Sequence, residues 1–350
     1  MILIWALVRP DMPAAAPAFA REAAPAPSHN GGRMVTDMAG RQMTLKREVR
    51  RIITTFKPAT LSVFCLGLAD RLVGMDDSSR RDPLHKALLP GINAIPGVGR
   101  KATGINVETI VALAPDLVVL YAQRDGLELA DRLSALNVPA VVILPETFDT
   151  IIASLAVIAT AAGANHSLAR IRAAMEEILG RLDRSLADLP RSGRMTGYFA
   201  SPQGLFSTAS GQMLQHEIFE RAGLVNVSAD LTGYFRTISP EQLIRWNPQM
   251  IVLSRHMKGD AGQRLSDPAI RNISAVSTHR VFRCPSTLAP WDFPSPLSVL
   301  ASLWLAKTAY PERFSHIDLE KEADAFHHLL FGRTLTGMGG KINHNPGDLP

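Results

Sequence analysis

The sequence predicts an α/β protein made of two Rossmann-like lobes with mainly parallel sheets, joined by one long backbone helix. Three observations lead to this fold class: strand and helix patterns alternate in both halves, one segment is repeated, and a long amphipathic stretch separates the halves. The chain has 350 residues, of which 46% are hydrophobic. This length and composition suit two domains with apolar cores of their own.

The predicted organisation divides the chain into five segments. They are a leader and linker at 1–34, a first α/β lobe at 35–164, a connecting helix at 165–189, a second α/β lobe at 190–332 and a loose tail at 333–350. The leader begins with a short apolar stretch and continues as an Ala/Pro-rich segment. This segment contains Ala-Phe-Ala at 18–20, a pattern that signal peptidase cleaves. We interpret it as a weak or truncated signal peptide, with a disordered leader as the alternative, and expect a periplasmic protein.

The first lobe opens with a small hairpin and continues as alternating strands and helices. Short β-rich apolar runs predict its strands, and Gly, Pro and polar residues separate them from helical stretches. The hairpin is expected at 35–37 and 42–45, the strands at 52–56, 72–75, 117–121 and 140–144, and the helices at 59–69, 107–113 and 127–136.

The connecting helix is predicted from a single apolar stripe. Ile171, Met175, Ile178, Leu179, Leu182 and Leu186 recur at helical spacing in a stretch whose only glycine is at 180. A rigid strut between two lobes explains it better than a coiled-coil arm, which would need sustained heptads. After it the α/β pattern resumes, with strands expected at 196–200, 250–253 and 280–284 and helices at 211–221 and 297–309.

An internal repeat is the strongest single observation. The segment 105–120 aligns without gaps on 238–253, with identical Ile, Glu, Pro and closing Val-Leu residues. Each copy is typical of an N-cap, a short helix, a proline-containing turn and a buried strand. Asn106 and Ser239 are the expected N-caps, and Pro240 takes the first helical position. The two lobes are therefore expected to be built alike.

The ligand site is expected where the strands of both lobes end. Ligands of parallel α/β sheets bind outside the carboxyl ends of the strands, and two facing lobes would bring these ends into one cleft. Aromatic faces and cationic groups there suit a planar, anionic chelate, although each residue taken alone is more often structural. The candidate ligand-binding residues are Lys57, Tyr121, Arg124, Tyr234, Arg236, Arg255, His256 and Trp291.

With these motifs in place, the chain resembles the periplasmic ferric-siderophore and cobalamin-binding proteins of ABC importers, the class with one helical backbone between lobes. Its C-terminal part is similar to one iron-complex subfamily, and the resemblance extends from about residue 35 to 336. The segments that carry it are 35–45, 51–52, 66–74, both copies of the repeat, 290–296, 303–307 and 310–314.

This resemblance implies an extracytoplasmic substrate-binding protein that captures a metal chelate, a ferric siderophore above all, and delivers it to an ABC permease dimer in the inner membrane. It also implies that Glu108 and Glu241 dock one lobe each onto the two permease subunits. An acidic residue in a first helical turn also stabilises the helix dipole, and both roles can hold. Haem, cobalamin and molybdate-type oxyanions are alternative ligands within the same resemblance.

Other function classes find less support in the sequence. The glycines at 97, 99 and 104 lack the Lys-Ser/Thr of a phosphate loop, and only Cys65 and Cys284 could serve a metal cluster, so a chelatase-like or cluster enzyme is the weaker alternative. Whether those cysteines pair is left open. A net charge of +5 without a Lys/Arg run disfavours nucleic-acid binding. We expect a monomer without a resident cofactor or metal, in which His256 alone could ligate the metal of a bound chelate.

Overall fold

The computed structural model describes residues 32–45, 48–100, 103–123, 125–257 and 261–342. Strands and helices alternate along both halves, as predicted. The elements before the connecting helix are β1 (Arg33–Thr36), β2 (Gln42–Leu45), β3 (Ile52–Thr54), α1 (Lys57–Cys65), β4 (Leu72–Met75), α2 (Pro83–Leu88), β5 (Gly99–Arg100), β6 (Gly104–Ile105), α3 (Val107–Ala112), β7 (Leu117–Tyr121), α4 (Gly126–Ala135), β8 (Ala140–Ile143) and α5 (Phe148–Ala162).

The connecting helix is α6 (Asn165–Ser185), and the second half of the chain follows it. Its elements are β9 (Thr196–Ala200), β10 (Ser207–Thr208), α7 (Leu214–Arg221), β11 (Val225–Asn226), β12 (Arg236–Thr237), α8 (Pro240–Trp246), β13 (Met250–Leu253), α9 (Ala261–Leu265), α10 (Ser274–Ser277), β14 (Val281–Arg283), α11 (Ser298–Ala309) and α12 (Leu319–Phe331).

Each lobe is built on its own sheet. The first sheet has the order β4-β3-β7-β8, and all of its pairings are parallel. The second has the order β12-β10-β9-β13-β14, with β11 also paired to β9. There β9, β13, β14 and β11 pair in parallel, whereas β10 runs antiparallel to both β9 and β12. The predicted fold class, two α/β lobes with mainly parallel sheets, is confirmed.

One continuous apolar core joins the two sheets. Alternate residues of each strand face it, such as Leu117 and Val119 of β7 and Met250 and Val252 of β13. The opposite face of each sheet packs into a smaller separate core. Because the central core crosses from lobe to lobe, any large hinge motion would have to break apolar contacts, so the structure favours lobes held at a fixed separation.

Helix α6 forms the backbone between the lobes. Most of its predicted stripe is buried, namely Ile171, Met175, Ile178 and Leu182, while Leu179 is half-buried. The helix contacts α5 of the first half and α7, α11 and α12 of the second. The helix ends at Ser185, four residues before the predicted end at 189. Leu186 leaves the helical dihedral angles (φ −113°), so termination precedes Pro190. The domain boundaries drawn around this helix stay a prediction.

The segment after α12 corrects the prediction of a loose tail, as far as it is described. Leu335 is fully buried in the central core. The Thr336 amide donates to Asp324 Oδ1 at 2.9 Å, and the Lys341 amide donates to Thr287 Oγ1 at 2.8 Å. Glycine-rich composition predicted mobility, but one apolar anchor and satisfied amides fix residues 333–342 on the protein. Residues 343–350 lie outside the described residues, as do residues 1–31 of the predicted leader and linker.

The repeat is reproduced in three dimensions, down to its caps. Asn106 Oδ1 accepts from the Thr109 amide at 2.9 Å, and Ser239 Oγ accepts from the Gln242 amide at 3.2 Å. Pro240 occupies the first turn of α8, as predicted. The residue before each repeat proline adopts a left-handed conformation, with a φ of 42° at position 114 and 43° at position 247. The same local sequence therefore produces the same helix-turn-strand unit in each lobe.

The structure also shows the state of the two cysteines and the character of its helices. Cys65 and Cys284, whose pairing the sequence left open, are both free and buried. Among the described residues, no helix combines the length and apolar character needed to span a membrane.

Candidate functional site

A cleft of about 950 Å³ lies between the two lobes, where the carboxyl ends of both sheets meet. This is the location that the strand ends predict. Its walls are formed by Phe56, Lys57, Pro58, Asp76, Ser78, Arg100, Tyr121, Gln123 and Glu146 of the first lobe, and by Phe199, Pro202, Gln203, Met213, Leu214, Gln215, Tyr234, Phe235, Ser254, His256, Pro290, Asp292, Phe293 and Pro294 of the second.

The first-lobe wall carries charges that the protein has already paired. Lys57, at the start of α1, donates from Nζ to Asp82 Oδ2 at 3.1 Å. Asp82 also caps α2 by accepting from the Leu84 amide at 3.0 Å. Asp76, just after β4, accepts from the backbone amides of Ser78 and Ser79 at 3.0 and 3.1 Å. These bonds hold the side chains in place, so the wall is preorganised before a ligand arrives.

Arg100 reaches the cleft from the short hairpin of β5 and β6. Gly99 adopts a φ of +98°, and a Cβ there would collide with the Gly104 carbonyl oxygen, so this tight turn requires glycine. The Arg100 Nε lies 3.8 Å from Asp77 Oδ2. The glycines that fail to match a phosphate loop thus build a hairpin that places a guanidinium group beside the cleft.

A cluster of hydroxyl, amide and carboxylate groups lies where the two lobes approach each other. The Tyr121 hydroxyl donates to Glu146 Oε1, and Gln123 Nε2 donates to the same oxygen at 3.1 Å. Burial, followed by the Glu146 carboxylate, raises the pKa of the Tyr121 phenol well above its usual range. The Tyr234 side chain comes from the second lobe and interacts with Gln123, and its pKa is also raised by burial and by Glu146. The Phe56 ring packs on Tyr121 with centroids 4.6 Å apart.

The second-lobe wall is mainly aromatic and apolar, with one buried acid and one imidazole. The Arg255 amide donates to Asp292 Oδ2 at 3.3 Å, and Gln215 Nε2 donates to the Asp292 carbonyl at 2.8 Å. Burial is the main cause that raises the pKa of Asp292. Burial also lowers the pKa of His256 and outweighs the opposing effect of Asp292, which favours a neutral imidazole.

The structure brings four of the eight predicted ligand residues together at the cleft, namely Lys57, Tyr121, Tyr234 and His256. Their roles toward a ligand stay predictions. Arg236 lies exposed on β12, away from the cleft lining. Arg255 is partly buried and contributes its backbone amide to Asp292. Arg124 lies outside the described residues.

The prediction that Trp291 lines the cleft is wrong. Its side chain is fully buried and belongs to the central core, and its amide donates to the Pro285 carbonyl at 2.7 Å. The residues on either side, Pro290 and Asp292, do line the cleft. Residues 287–297 form bends and turns, in which no regular alternation fixes where a side chain points, so the sequence located the loop but not which of its residues faces the ligand.

Several cleft residues were missed by sequence reasoning. Glu146 directly follows the proline that marks the end of β8, and Asp76 directly follows β4, so the rule that found Lys57 could have found both. Asp292 and Arg100 gave no such signal, because an irregular loop and a two-residue hairpin place them. Among the described residues, no group of three or more His, Cys, Asp and Glu side chains could hold a metal ion.

The two predicted docking residues lie in equivalent places. Glu108 and Glu241 are exposed in the first turns of α3 and α8. One turn later on each helix is an exposed apolar residue, Val111 at 42% and Ile244 at 39% exposure. The two helices therefore present the same acidic and apolar pair, and a docking role for it stays a prediction.

The sequence of this chain is similar to those of known binding proteins. The family described as periplasmic binding protein matches residues 52–288. The molybdate-binding protein MolA of Haemophilus influenzae is 26% identical over 331 residues, covering 85% of this chain and 91% of MolA. A vitamin B12-binding protein of Pectobacterium carotovorum is 26% identical over 204 residues, covering 58% of this chain and 71% of that protein.

Solved structures share the architecture. MolA bound to molybdate aligns with a TM-score of 0.77 at 23% identity, covering 89% of this chain and 100% of MolA. The Helicobacter pylori protein CeuE with Ni(II) bound aligns with a TM-score of 0.75 at 22% identity, covering 87% of this chain and 98% of CeuE. At these identities the two structures support the two-lobed fold and do not identify a ligand.

Proposed function

This chain belongs to the periplasmic binding protein family and is a substrate-binding protein of ABC import, and from that premise we propose that its ligand is a metal chelate, a ferric siderophore in the first instance. The chelate occupies the cleft between the lobes and is handed to a permease dimer in the inner membrane. We further propose that the protein is exported through its N-terminal leader and acts as a monomer.

The shape and chemistry of the cleft carry this proposal. A volume of about 950 Å³ accommodates an organic complex of considerable size. Lys57 and Arg100 supply positive charge on one wall, while Phe235 and Phe293 supply apolar surface on the other. A ferric chelate combines both kinds of surface, since an anionic metal centre is wrapped in an organic scaffold.

An oxyanion such as molybdate is the second candidate, and the similarity to MolA over 85% of the chain favours it. A small dianion needs several convergent donors and little negative charge nearby. In this cleft the carboxyl groups of Asp76, Glu146 and Asp292 stand among the lining residues. A larger chelate can place its anionic side against Lys57 and Arg100 and its organic side against the apolar wall, so the chelate is preferred. Haem and cobalamin are further organic ligands of suitable size.

Native mass spectrometry of the protein purified from the periplasm of its own host tests the ligand class. We expect a mass increase that matches an intact ferric chelate, and isothermal titration with that chelate should show one saturable site. A mass increase that matches molybdate, together with saturable molybdate binding, would replace the proposal with the oxyanion alternative. Retention of haem or cobalamin would likewise reassign the ligand.

A further inference from the structure

Helix α5 of the first lobe begins with an amide whose acceptor belongs to the second lobe. Its N-cap Thr147 accepts from the Thr150 amide through Oγ1 at 3.2 Å, and Thr150 Oγ1 accepts from the Thr147 amide at 2.7 Å. The Phe148 amide lies between them in the chain and donates to Glu217 Oε2 of α7 at 2.7 Å. First-turn amides have no acceptor within their own helix, so here the opposite lobe supplies one.

Several contributions favour this bond. Phe148 is buried, so without the carboxylate its amide would lose its acceptor in a place that water does not reach freely. A carboxylate at a helix N-terminus is also stabilised by the helix dipole, and its bond to an amide is charge-assisted. Burial, with Asp149 as a minor contributor, raises the pKa of the half-buried Glu217, whereas the Phe148 amide and then Arg221 oppose this effect. The bond therefore offsets part of the cost of burying the charge.

Helix α7 holds Glu217 in a fixed position in the second lobe. One turn later on this helix, Arg221 Nη1 lies 3.2 Å from Asp183 Oδ2 of the backbone helix α6. The other acid of α7, Glu220, lies 3.9 Å from the Arg194 Nη1 atom and so has its ionic partner within the second lobe. The two acids of α7 thus differ in that the bond of Glu217 crosses to the first lobe.

Both ends of the crossing bond lie next to the cleft. Glu146 precedes Phe148 by two residues, and Leu214 and Gln215 precede Glu217 by three and two residues. All three of these preceding residues line the cleft. The apolar core between the lobes is cohesive but non-directional, whereas a hydrogen bond requires a particular distance and angle. The bond is therefore placed to fix one cleft wall relative to the other.

We propose that Glu217 is a positioning residue, which sets the separation of the two cleft walls by binding the first turn of α5 across the lobe boundary. Glu217 is not among the residues that line the cleft, so it acts on ligand affinity through the walls. This inference rests on the proposed function only in that the ligand occupies the cleft. Walls that are fixed before binding lose less entropy when the ligand arrives.

The test compares two substitutions of Glu217 with a matched control. Glu217→Met keeps the approximate length of the side chain and removes the acceptor, whereas Glu217→Gln keeps an acceptor oxygen at the same reach. Glu220→Met makes the same change on the same helix at an acid whose ion pair stays within one lobe. Should Glu217→Met not fold, Glu217→Asp, whose side chain is one methylene shorter, tests the same expectation.

Two of the measurements need no ligand. Spin labels on cysteines introduced by Ser134→Cys of α4 and Arg245→Cys of α8, both exposed positions, report the inter-lobe distance by double electron–electron resonance. Hydrogen exchange of the Phe148 amide, followed by NMR, reports the bond itself. The third measurement is the affinity for ferric desferrioxamine, determined by titration calorimetry.

We expect Glu217→Met to broaden the distance distribution, to speed exchange of the Phe148 amide on the order of tenfold, and to weaken binding of ferric desferrioxamine by a similar factor. Glu217→Gln should restore most of all three properties, because the amide oxygen still accepts from Phe148. Glu220→Met should match the wild type in each measurement.

The outcomes separate this inference from the proposed function. An unchanged distance distribution in Glu217→Met, or equal broadening in Glu220→Met, would overturn the positioning role whatever the ligand is. A wild-type protein that binds no ferric desferrioxamine would count against the ferric-siderophore proposal, while the distance and exchange measurements would still decide the role of Glu217.

Discussion

The two lobes share a repeated unit but present different chemistry to the cleft. The first-lobe wall contains Lys57, Asp76, Arg100 and Glu146, and its charges are largely paired by neighbouring groups. The second-lobe wall consists mainly of rings, prolines and aliphatic side chains, with Asp292 buried among them. One fold has therefore been specialised into a polar half and an apolar half, which suits a ligand with a charged side and an organic side.

The outer surfaces of the lobes show the opposite behaviour. There both copies of the repeat have an exposed acid and an exposed apolar residue at equivalent positions, Glu108 with Val111 and Glu241 with Ile244. A partner with two similar subunits would meet two similar patches. The lobes thus differ where a single asymmetric ligand binds, and agree where a symmetric partner is proposed to dock.

The largest expected effect comes from reversing the charge on both outer patches. The double variant Glu108→Arg and Glu241→Arg should reduce uptake by about 100-fold or more, because like-charge contacts at an interface cost several kcal/mol. Ligand affinity, measured by titration calorimetry, should stay unchanged. Glu320→Arg, also exposed in a first helical turn, is the matched control and should transport normally. Normal uptake by the double variant would exclude the docking role.

A smaller effect is expected from altering one wall of the cleft at a time. Lys57→Gln or Arg100→Gln should weaken binding of an anionic chelate by about tenfold, and most of its salt dependence should disappear, because screening acts on charge pairs. Phe235→Ala or Phe293→Ala should weaken binding by a similar factor and leave the salt dependence intact. Titrations at low and high ionic strength distinguish the two walls. Equal salt dependence in all four variants would contradict the assignment of charge binding to the first-lobe wall and apolar binding to the second-lobe wall.

The buried acid of the second wall predicts a pH-dependent stability. Because the folded protein raises the pKa of Asp292, the unfolded state loses that proton first, and the wild type loses stability as the pH rises through this range. Asp292→Asn removes this loss and should stabilise the protein at neutral pH by about 1 kcal/mol or more. Its advantage in thermal melts should shrink toward acidic pH.

The first-lobe counterpart should respond in the opposite direction. Asp76→Asn disturbs an acceptor that serves the Ser78 and Ser79 amides, so a loss of about 1–2 kcal/mol is expected. If both substitutions changed stability with the same sign, the contrast between the two walls would not hold.

The smallest effect is expected from the helix caps, and it should be equal in the two lobes. Asn106→Ala and Ser239→Ala each remove one side-chain bond to a first-turn amide, at a cost of about 1 kcal/mol. Urea unfolding of the single and double variants should show additive losses, since the caps lie in different lobes. A large difference between the single variants would mean that the repeat is energetically unequal.

The sequence by itself determined the features that depend on local periodicity and capping. Strands 72–75, 117–121, 196–200 and 250–253 were predicted with the bounds that the structure shows, as were both caps of the repeat. The location of the cleft also followed from the sequence, since parallel strands carry their ligands at their carboxyl ends.

Only the tertiary structure decided which side chains meet. Trp291 turned into the core while its neighbours faced the cleft, and Leu335 anchored a segment whose composition predicted mobility. Tyr121 and Glu146 of the first lobe line the same cleft as Tyr234 of the second because one shared core holds the two lobes together. Such contacts join residues far apart in the chain, and no local sequence pattern determines the direction in which a loop side chain points. Backbone hydrogen bonding and periodicity are local properties, whereas the ligand site is a property of packing.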